Sequence, residues 1–563
     1  MSIACDVLII GGGPAGSTVG SLLKKYLPSL NILIIERENF PRDHVGESQL
    51  TAVCAILDEM GVWDKVEQAG FPVKIGSTYR WGKTDELWQI NFLLDEQFKE
   101  EPRPGKFEGQ RALTAFQVDR SIYDKILLDH ARALGCEVRE GVRAISVRHE
   151  ADQILGVTIG PSKEGHGEPE EIEARYYIDA SGGSGILRRE LGVEIESPTC
   201  LRNIALWHYW QDTDWAETVG NGGTRAQILS IGWGWIWFIP IGKTRTSIGV
   251  VTPASHLKAS GKSAQDLYME GLAAEPRVAA LLARAHREEK FWTTKDWSYL
   301  AGRLYGENWF LAGDACGFAD PILSAGMTLA QVGARKLAYT ILELERGDHD
   351  TEWLKGQFNR SHRANIRQHI RFAEFWYAGN GRFTDLNDFC VDIAKDAGLK
   401  LTPEDAFQWI GTGGFAEDTF TNVNAISCRF TSSRAVVGRM LDFPAWEIAR
   451  NNVFRLNLAG SVEDKVAFYQ DAGVVPNRSL RRGDQVLPLT DRNLLVLNYV
   501  GQFYDAYTVA QGLQQTFTGN PKLYPDARLA YRMALETIET LISQGWISVS
   551  VNKHRPFIPI EFQ

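Results

Sequence analysis

Gly11, Gly13 and Gly16 stand at the spacing G-x-G-x-x-G, with Pro14 and Ala15 between the last two. An apolar run, Asp6-Val7-Leu8-Ile9-Ile10, leads into them, and a helical pattern to about Lys25 follows. A second apolar run over 31–35 ends at Glu36, about 20 residues on. That order of strand, glycine turn, helix, strand and acid suits one chemistry, the binding of a dinucleotide. Gly11 makes the tight turn, Gly13 lets the main chain approach a pyrophosphate, and Gly16 lets the helix pack on the sheet. The helix N-terminus offers N–H groups to phosphates, and Glu36 is placed for a ribose hydroxyl. Two later strands end in small-residue turns, Tyr176-Tyr177-Ile178-Asp179-Ala180-Ser181-Gly182-Gly183 and Asn308-Trp309-Phe310-Leu311-Ala312-Gly313-Asp314-Ala315. An aspartate at a strand end beside a helix start suits a ribityl hydroxyl. A different kind of site is suggested by Trp233, Trp235 and Trp237, which alternate in the run 230–242. On an extended strand ended by Pro240 and Gly242 they share one face, either as core or as a wall.

The Asp179 and Asp314 segments resemble the second and third fingerprints of the FAD-dependent hydroxylase superfamily. Arg120, in Gln117-Val118-Asp119-Arg120, matches its arginine between the first and second. Further motifs narrow the resemblance. Phe40-Pro41-Arg42 with His44-Val45-Gly46-Glu47-Ser48, Lys74 ahead of Gly76 and Trp81-Gly82, and Trp235-x-Trp237-x-Ile239-Pro240 look like the flavin-dependent halogenases. Asp320-Pro321-Ile322-Leu323-Ser324-Ala325-Gly326 resembles that family's flavin and halide loop. The resemblance covers roughly 3–345. It implies reduced FAD, O2 and chloride or bromide as reactants, with hypohalous acid as the oxidant. Lys74 would receive the halogen and present it to an electron-rich carbon. Trp235, Trp237, Ile239 and Pro240 would separate flavin from substrate. Arg42, Ser48, Arg120, Asp179, Asp314, Pro321, Gly326 and Met327 join the glycine motif and Glu36 as expected flavin contacts, and Ser324, Ala325 and Gly326 as the halide site. No metal site is read. Tryptophan halogenases carry a glutamate just before the matching serine, where this chain has Leu323. That points to phenols, pyrroles or carrier-bound acyl groups as substrates.

Gly411-Thr412-Gly413-Gly414 and Gly220-Asn221-Gly222-Gly223 lack the flanking strands of a nicotinamide site, so a separate flavin reductase is expected. The competing readings are an aromatic monooxygenase on the same scaffold and a noncatalytic flavin-binding regulator. Lys74 and the tryptophan motif weigh against the first. The second is disfavoured because Arg528 and Arg532, in the final helix, are balanced by Asp526, Glu536 and Glu539.

The chain must position these residues within 563 positions, enough for two to four domains. A net charge of −10 disfavours nucleic acid as a partner. Seven cysteines without a C-x-x-C pair, no signal peptide and no bilayer-length apolar run fit a cytoplasmic enzyme with no membrane partner. The fold class expected is α/β: a Rossmann-like FAD domain with an inserted β-sheet substrate layer over 84–120 and 195–300. A mainly helical C-terminal region would end in a winged-helix-like module. The divisions are 1–345 for the flavin core, 346–485 for a mixed, mostly helical substrate-side region, and 486–563 for the module. In the last, helices are read over Asp491–Val500, Ala506–Gln515 and Asp526–Gln544, then strands over 545–551 and 556–560. Phe372, Phe375, Trp376 and Tyr377 are weighed as a chamber lining against plain core.

Overall fold

A computed structural model of the chain describes residues 2–81, 87–93, 95–162, 168–198, 201–216, 222–295, 297–378, 447–483, 485–524 and 527–558. Gly82, Gly220, Asn221 and 411–414 therefore lie outside the described residues. Two compact units are present. The first comprises the described residues up to 378 with 469–474, the second the remainder.

Two large sheets and a small three-stranded one (Ile195–Glu196, Tyr299–Ala301, Gly317–Phe318) are described in the first unit. In one, the strand Ser2–Ile10 lies between Ile32–Glu36 and Glu170–Asp179, parallel to both. Trp309–Leu311 pairs in parallel with Glu170–Asp179, so the three strands carrying the fingerprints end on one edge. Val7, Leu8 and Ile9 are wholly buried, as a parallel strand covered on both faces requires. The helix Pro14–Tyr26 packs against Arg120–Ala133 and Gly326–Arg346. Gln331 joins the three: its Oε1 accepts from the Tyr123 hydroxyl (2.8 Å) and its Nε2 donates to Thr18 Oγ1 (3.2 Å).

Among the described residues the second sheet has nine strands. Its central order is Asn203–Gln211, Arg245–Pro253, Gly234–Pro240, Gly223–Ile231, Val73–Arg80 and Trp88–Asn91. Ile236 and Phe238 face an aliphatic core with Leu206, Ile248, Val250 and Leu272. Trp235 and Trp237 therefore occupy the other face. Trp233 corrects the expectation of three tryptophans on one face. It sits in the hairpin turn before Gly234, stacks on His256 (5.1 Å, 11°) and packs on the aliphatic side. A turn breaks the two-residue alternation, and only Trp235 and Trp237 remain in phase.

The second unit packs Asp491–Gln502, Ala506–Gly519 and Ala527–Ser543 around Val496, Leu513, Ile538 and Trp546. Thr490 and Asp505 cap the first two of these helices, accepting from Asn493 N and Thr508 N. The strand Ile547–Ser550 pairs antiparallel with Val453–Leu456, upstream of the helices. Residues 556–558 form no strand, contrary to the expected wing, and 559–563 lie outside the described residues. The mostly helical expectation for 346–485 holds for Thr351–Ala378, but Val462–Gln470 and Gly473–Arg482 are strands. Charged and polar residues interrupt both runs, so no apolar alternation marked them.

Candidate functional site

A cleft of about 440 Å³ runs along the edge where the fingerprint strands end. Gly11, Gly13, Pro14, Ala15, Glu36, Arg42, Arg120, Asp314, Gly326 and Met327 all line it. Gly11 has φ +114°, and a Cβ there would lie 2.2 Å from the Ala180 oxygen. Gly16 lies outside the lining; its Cβ would meet the Gly11 oxygen at 2.0 Å, so it serves the helix–turn approach. Glu36 accepts from Gly12 N (2.8 Å) and Glu38 N (3.0 Å). Its carboxylate keeps lone pairs for a hydroxyl donor. Asp179 is also outside the lining. It accepts from Ser181, Leu187 N and Arg188 N, and so shapes the turn that does line the cleft. Asp314 lies in the wall, its carboxyl pushed up to about 6 by burial against the pull of Arg120.

Arg120 forms a two-point ion pair with Asp124 (2.6 and 2.8 Å) and donates to the carbonyls of Val45 and Gly46 (3.0 and 3.2 Å). Arg42 Nη1 stands 3.0 Å from the same Asp124. Burial alone would raise the Asp124 carboxyl, but the two guanidinium charges hold it below the usual carboxylate range. Arginines that the sequence marks as flavin contacts thus also brace the loop 42–46. Ser48 departs from expectation. It is not in the lining, and its buried Oγ has no partner.

The tryptophan face of the second sheet begins at this cleft. Trp207 and Trp292, stacked at 6.0 Å and 11°, both line it, as does Tyr209. From Trp207 the rings continue to Trp237 (6.2 Å), Trp235 (6.0 Å), Trp81 (6.4 Å) and Tyr377 (6.1 Å). Room for Trp237 comes from Gly249 on the neighbouring strand, where a Cβ would lie 2.2 Å from the indole. Trp237 Nε1 donates to Ser247 (3.0 Å), and Trp235 Nε1 donates to the Tyr377 hydroxyl (2.8 Å). The Tyr377 hydroxyl in turn donates to Asp320 (3.1 Å). Burial pushes the Asp320 carboxyl up to about 7, against donors on Ile322 N, Trp297 and Tyr377. Ile239 and Pro240 complete the strand, opposite Ser247 and Thr246.

Lys74 reaches this face through a register shift. On Val73–Arg80, Gly76 pairs with Arg225 but Lys74 pairs with Thr224, so two steps on one strand match one on the other. Regular alternation would put Lys74 on the aliphatic side with Gly76 and Thr78. The extra residue turns it to the side of Thr224, Ile228 and Trp237. Lys74 is wholly buried; its Nζ donates to the Gln49 carbonyl (3.0 Å) and stands 5.2 Å from the Phe92 ring. Glu47 lies between the two regions, accepting from Tyr209 (3.0 Å) and from Gly46 N (2.9 Å). Burial raises its carboxyl to about 7.

The loop expected to hold halide follows Asp320. Pro321–Leu323 is a short 3-10 turn, Ser324 takes a left-handed φ of +57°, and Ala325 caps the 21-residue helix Gly326–Arg346. The first amides of such a helix have no partner within it, and Gly326 and Met327 bring them to the cleft. Ser324 N already donates to Pro321 O (3.0 Å). The Leu323, Phe372, Phe375 and Trp376 side chains lie outside the described ones.

Comparison with known proteins decides the family. The FAD binding domain profile matches residues 4–373. A 1H-pyrrole-2-carbonyl-[peptidyl-carrier protein] chlorinase from Pseudomonas fluorescens is 31% identical over 390 residues, covering 67% of this chain and 85% of the relative. The chain belongs to the flavin-dependent halogenases. A tryptophan 2-halogenase from Chondromyces crocatus is 32% identical, covering 67% of this chain and 68% of its own. Among solved structures, the chondrochloren halogenase CndH matches at TM-score 0.60 and 26% identity, over 78% of this chain and 98% of that one. The halogenase CmlS shares the fold over 100% of this chain and 99% of its own, at TM-score 0.73 and 22% identity.

This halogenase is an oxidoreductase that uses FAD, O2 and halide. Members of the family take reduced flavin from a separate reductase. The cleft fits FAD: glycine Cβ positions blocked by main chain, an open helix N-terminus, and carboxyls where hydroxyls would come. No helix among the described residues is long and apolar enough to cross a membrane. Sequence reading of the halogenase missed Asp124, Trp207, Tyr209 and Trp292. Trp207-His208-Tyr209-Trp210 falls in the expected β-sheet layer, but its cleft-side role depends on pairing with Arg245–Pro253.

Proposed function

We propose that the enzyme generates hypohalous acid from chloride or bromide beside the flavin, transfers the halogen to Lys74, and halogenates a phenol, a pyrrole or a carrier-bound acyl group. The observation that carries this is the burial of Lys74 on the tryptophan face, reached by the register shift at Gly76. Reduced FAD, when bound, supplies with O2 the oxidising equivalent for the halide. Gly11, Gly13, Pro14, Ala15, Glu36, Arg42, Arg120 and Asp314, all in the cleft wall, would hold the cofactor. Ala325 and Gly326 are read as halide donors, with Ser324 beside them. In its amine form Lys74 attacks the halogen: an N–X bond forms, the O–X bond breaks, and an N–H proton leaves with the hydroxide as water. The aromatic carbon then takes the halogen and yields its proton, restoring the amine. Trp235, Trp237, Ile239 and Pro240 keep organic substrate from the flavin.

Relatives at 31% and 32% identity include both a carrier-protein pyrrole chlorinase and a tryptophan halogenase, so identity alone does not choose a substrate. Leu323 supports the phenol, pyrrole or carrier-bound class, because a leucine cannot take the ring proton. Residues 346–485 are read as the substrate side, supported by Tyr377 on Trp235. The three helices and final strand of 486–563 are read as a packing or protein-contact module. The test is a panel of phenols, pyrroles and indoles, free and carrier-bound, with reduced FAD, O2 and bromide. A bromine isotope doublet on phenol or pyrrole products is expected. Hydroxylated product without bromine, or efficient turnover of free tryptophan, contradicts the reading.

A further inference from the structure

Polar atoms sealed in a protein interior nearly always have hydrogen-bond partners, and one left without is costly. The segment 46–49 departs from this at the place where the two halves of the site meet. Gly46 lines the flavin cleft. Glu47 accepts from Tyr209, which lines it too. Ser48 is 6% exposed and its Oγ has no partner; Gln49 is 0% exposed and neither Oε1 nor Nε2 has one. The carbonyl of that same Gln49 receives Lys74 Nζ at 3.0 Å. Four consecutive residues thus run from cleft wall to lysine, with the partnerless atoms on the two nearer the lysine. Even at roughly 3.3 Å per residue, the fully extended value, they span at most about 10 Å.

We propose that Ser48 and Gln49 are the polar relay along which hypohalous acid passes from the flavin cleft to Lys74; this rests on the halogen-transfer reading above. Hypohalous acid is a small neutral molecule with one O–H donor and an oxygen acceptor. A hydroxyl and a carboxamide each offer both roles, so either can hand it on without a fixed charge that would trap a halide ion. Neither is a strong nucleophile toward electrophilic halogen, unlike a thiol, a thioether or an indole. The unsatisfied amide is then the stored cost of a transient ligand, and Ser48 serves the oxidant rather than the flavin.

The full chain tests this with Gln49→Leu, apolar and inert to hypohalous acid, and Ser48→Ala, the smaller change. Two quantities are read: the urea unfolding midpoint without flavin, and the division of bromine between a phenol substrate and an added soluble 1,3-diketone, per flavin oxidised. Replacing an unpartnered amide by an apolar chain should leave the midpoint unchanged or raise it. Brominated phenol should meanwhile fall about tenfold in Gln49→Leu, the factor that about 1.4 kcal/mol gives, and the diketone share should rise. Ser48→Ala should shift the division in the same direction. An unchanged division in both variants overturns the proposal. So does a lowered midpoint with a proportionate loss of flavin binding, which would make Gln49 a structural residue. If wild type brominates neither phenol nor diketone, the halogen-transfer reading fails instead.

Discussion

In the flavin cleft the decisive atoms belong to the main chain, and across the tryptophan face they belong to side chains. Gly11 and Gly16 matter for the Cβ they lack, and Asp179 and Arg120 work chiefly by holding turns. On the sheet, Trp235, Trp237, Trp81 and Tyr377 form a continuous ring contact, and one lysine is turned into it by an extra residue. The cleft is therefore intolerant of added atoms, and the face of removed ones.

Predictions that separate the two begin with Lys74→Ala. Halogenated product should fall by at least about 10²-fold, the scale of a lost nucleophile or proton-transfer group, while flavin oxidation continues; product assay with flavin absorbance checks this. In the cleft, Gly11→Ala should do the reverse: lost FAD retention and roughly 1–3 kcal/mol lower stability from a side chain at φ +114°, seen in flavin titration and urea unfolding. Gly249→Ala should cost about 1–3 kcal/mol through overpacking on Trp237, with FAD affinity retained. Tyr377→Phe keeps the ring but strands Trp235 Nε1 and removes one donor from Asp320. About 1 kcal/mol should be lost per buried bond, with more halogen escaping to a soluble scavenger.

A pH series sharpens the contrast further. The Asp320 carboxyl is raised to about 7 from 3.8 by burial. The folded state then holds more protons between those values, so this group lowers stability as pH rises from about 4 to 7. Asp320→Asn should remove that slope. The variant gains on wild type between about pH 4 and 7 in urea unfolding, and equal slopes would contradict the assignment.

The same division explains what could be read in advance. A dinucleotide motif is local: glycine spacing, flanking apolar runs and the acid at Glu36 all lie within 40 residues. The tryptophan wall is assembled from separate strands, 203–211, 234–240 and 292–295 among them, so Trp207 and Trp292 gave no local sign of facing the cleft. Trp233 shares the spacing of its neighbours but falls in the turn. Gly76 inside a strand was a usable sign of the bulge, yet which way Lys74 turned required the pairing with Thr224. Tyr377 was in view as a chamber residue; its bonds to Trp235 and Asp320 join segments distant in sequence and were not.

The central claim is that halogen reaches substrate only through Lys74 on the tryptophan face. Mass spectrometry of the product from wild type and Lys74→Ala, with reduced FAD, O2, bromide and a reactive phenol, tests it most directly. The account predicts a bromine doublet from wild type and none from the variant at equal flavin oxidised. Brominated phenol from the variant at the wild-type level would contradict it.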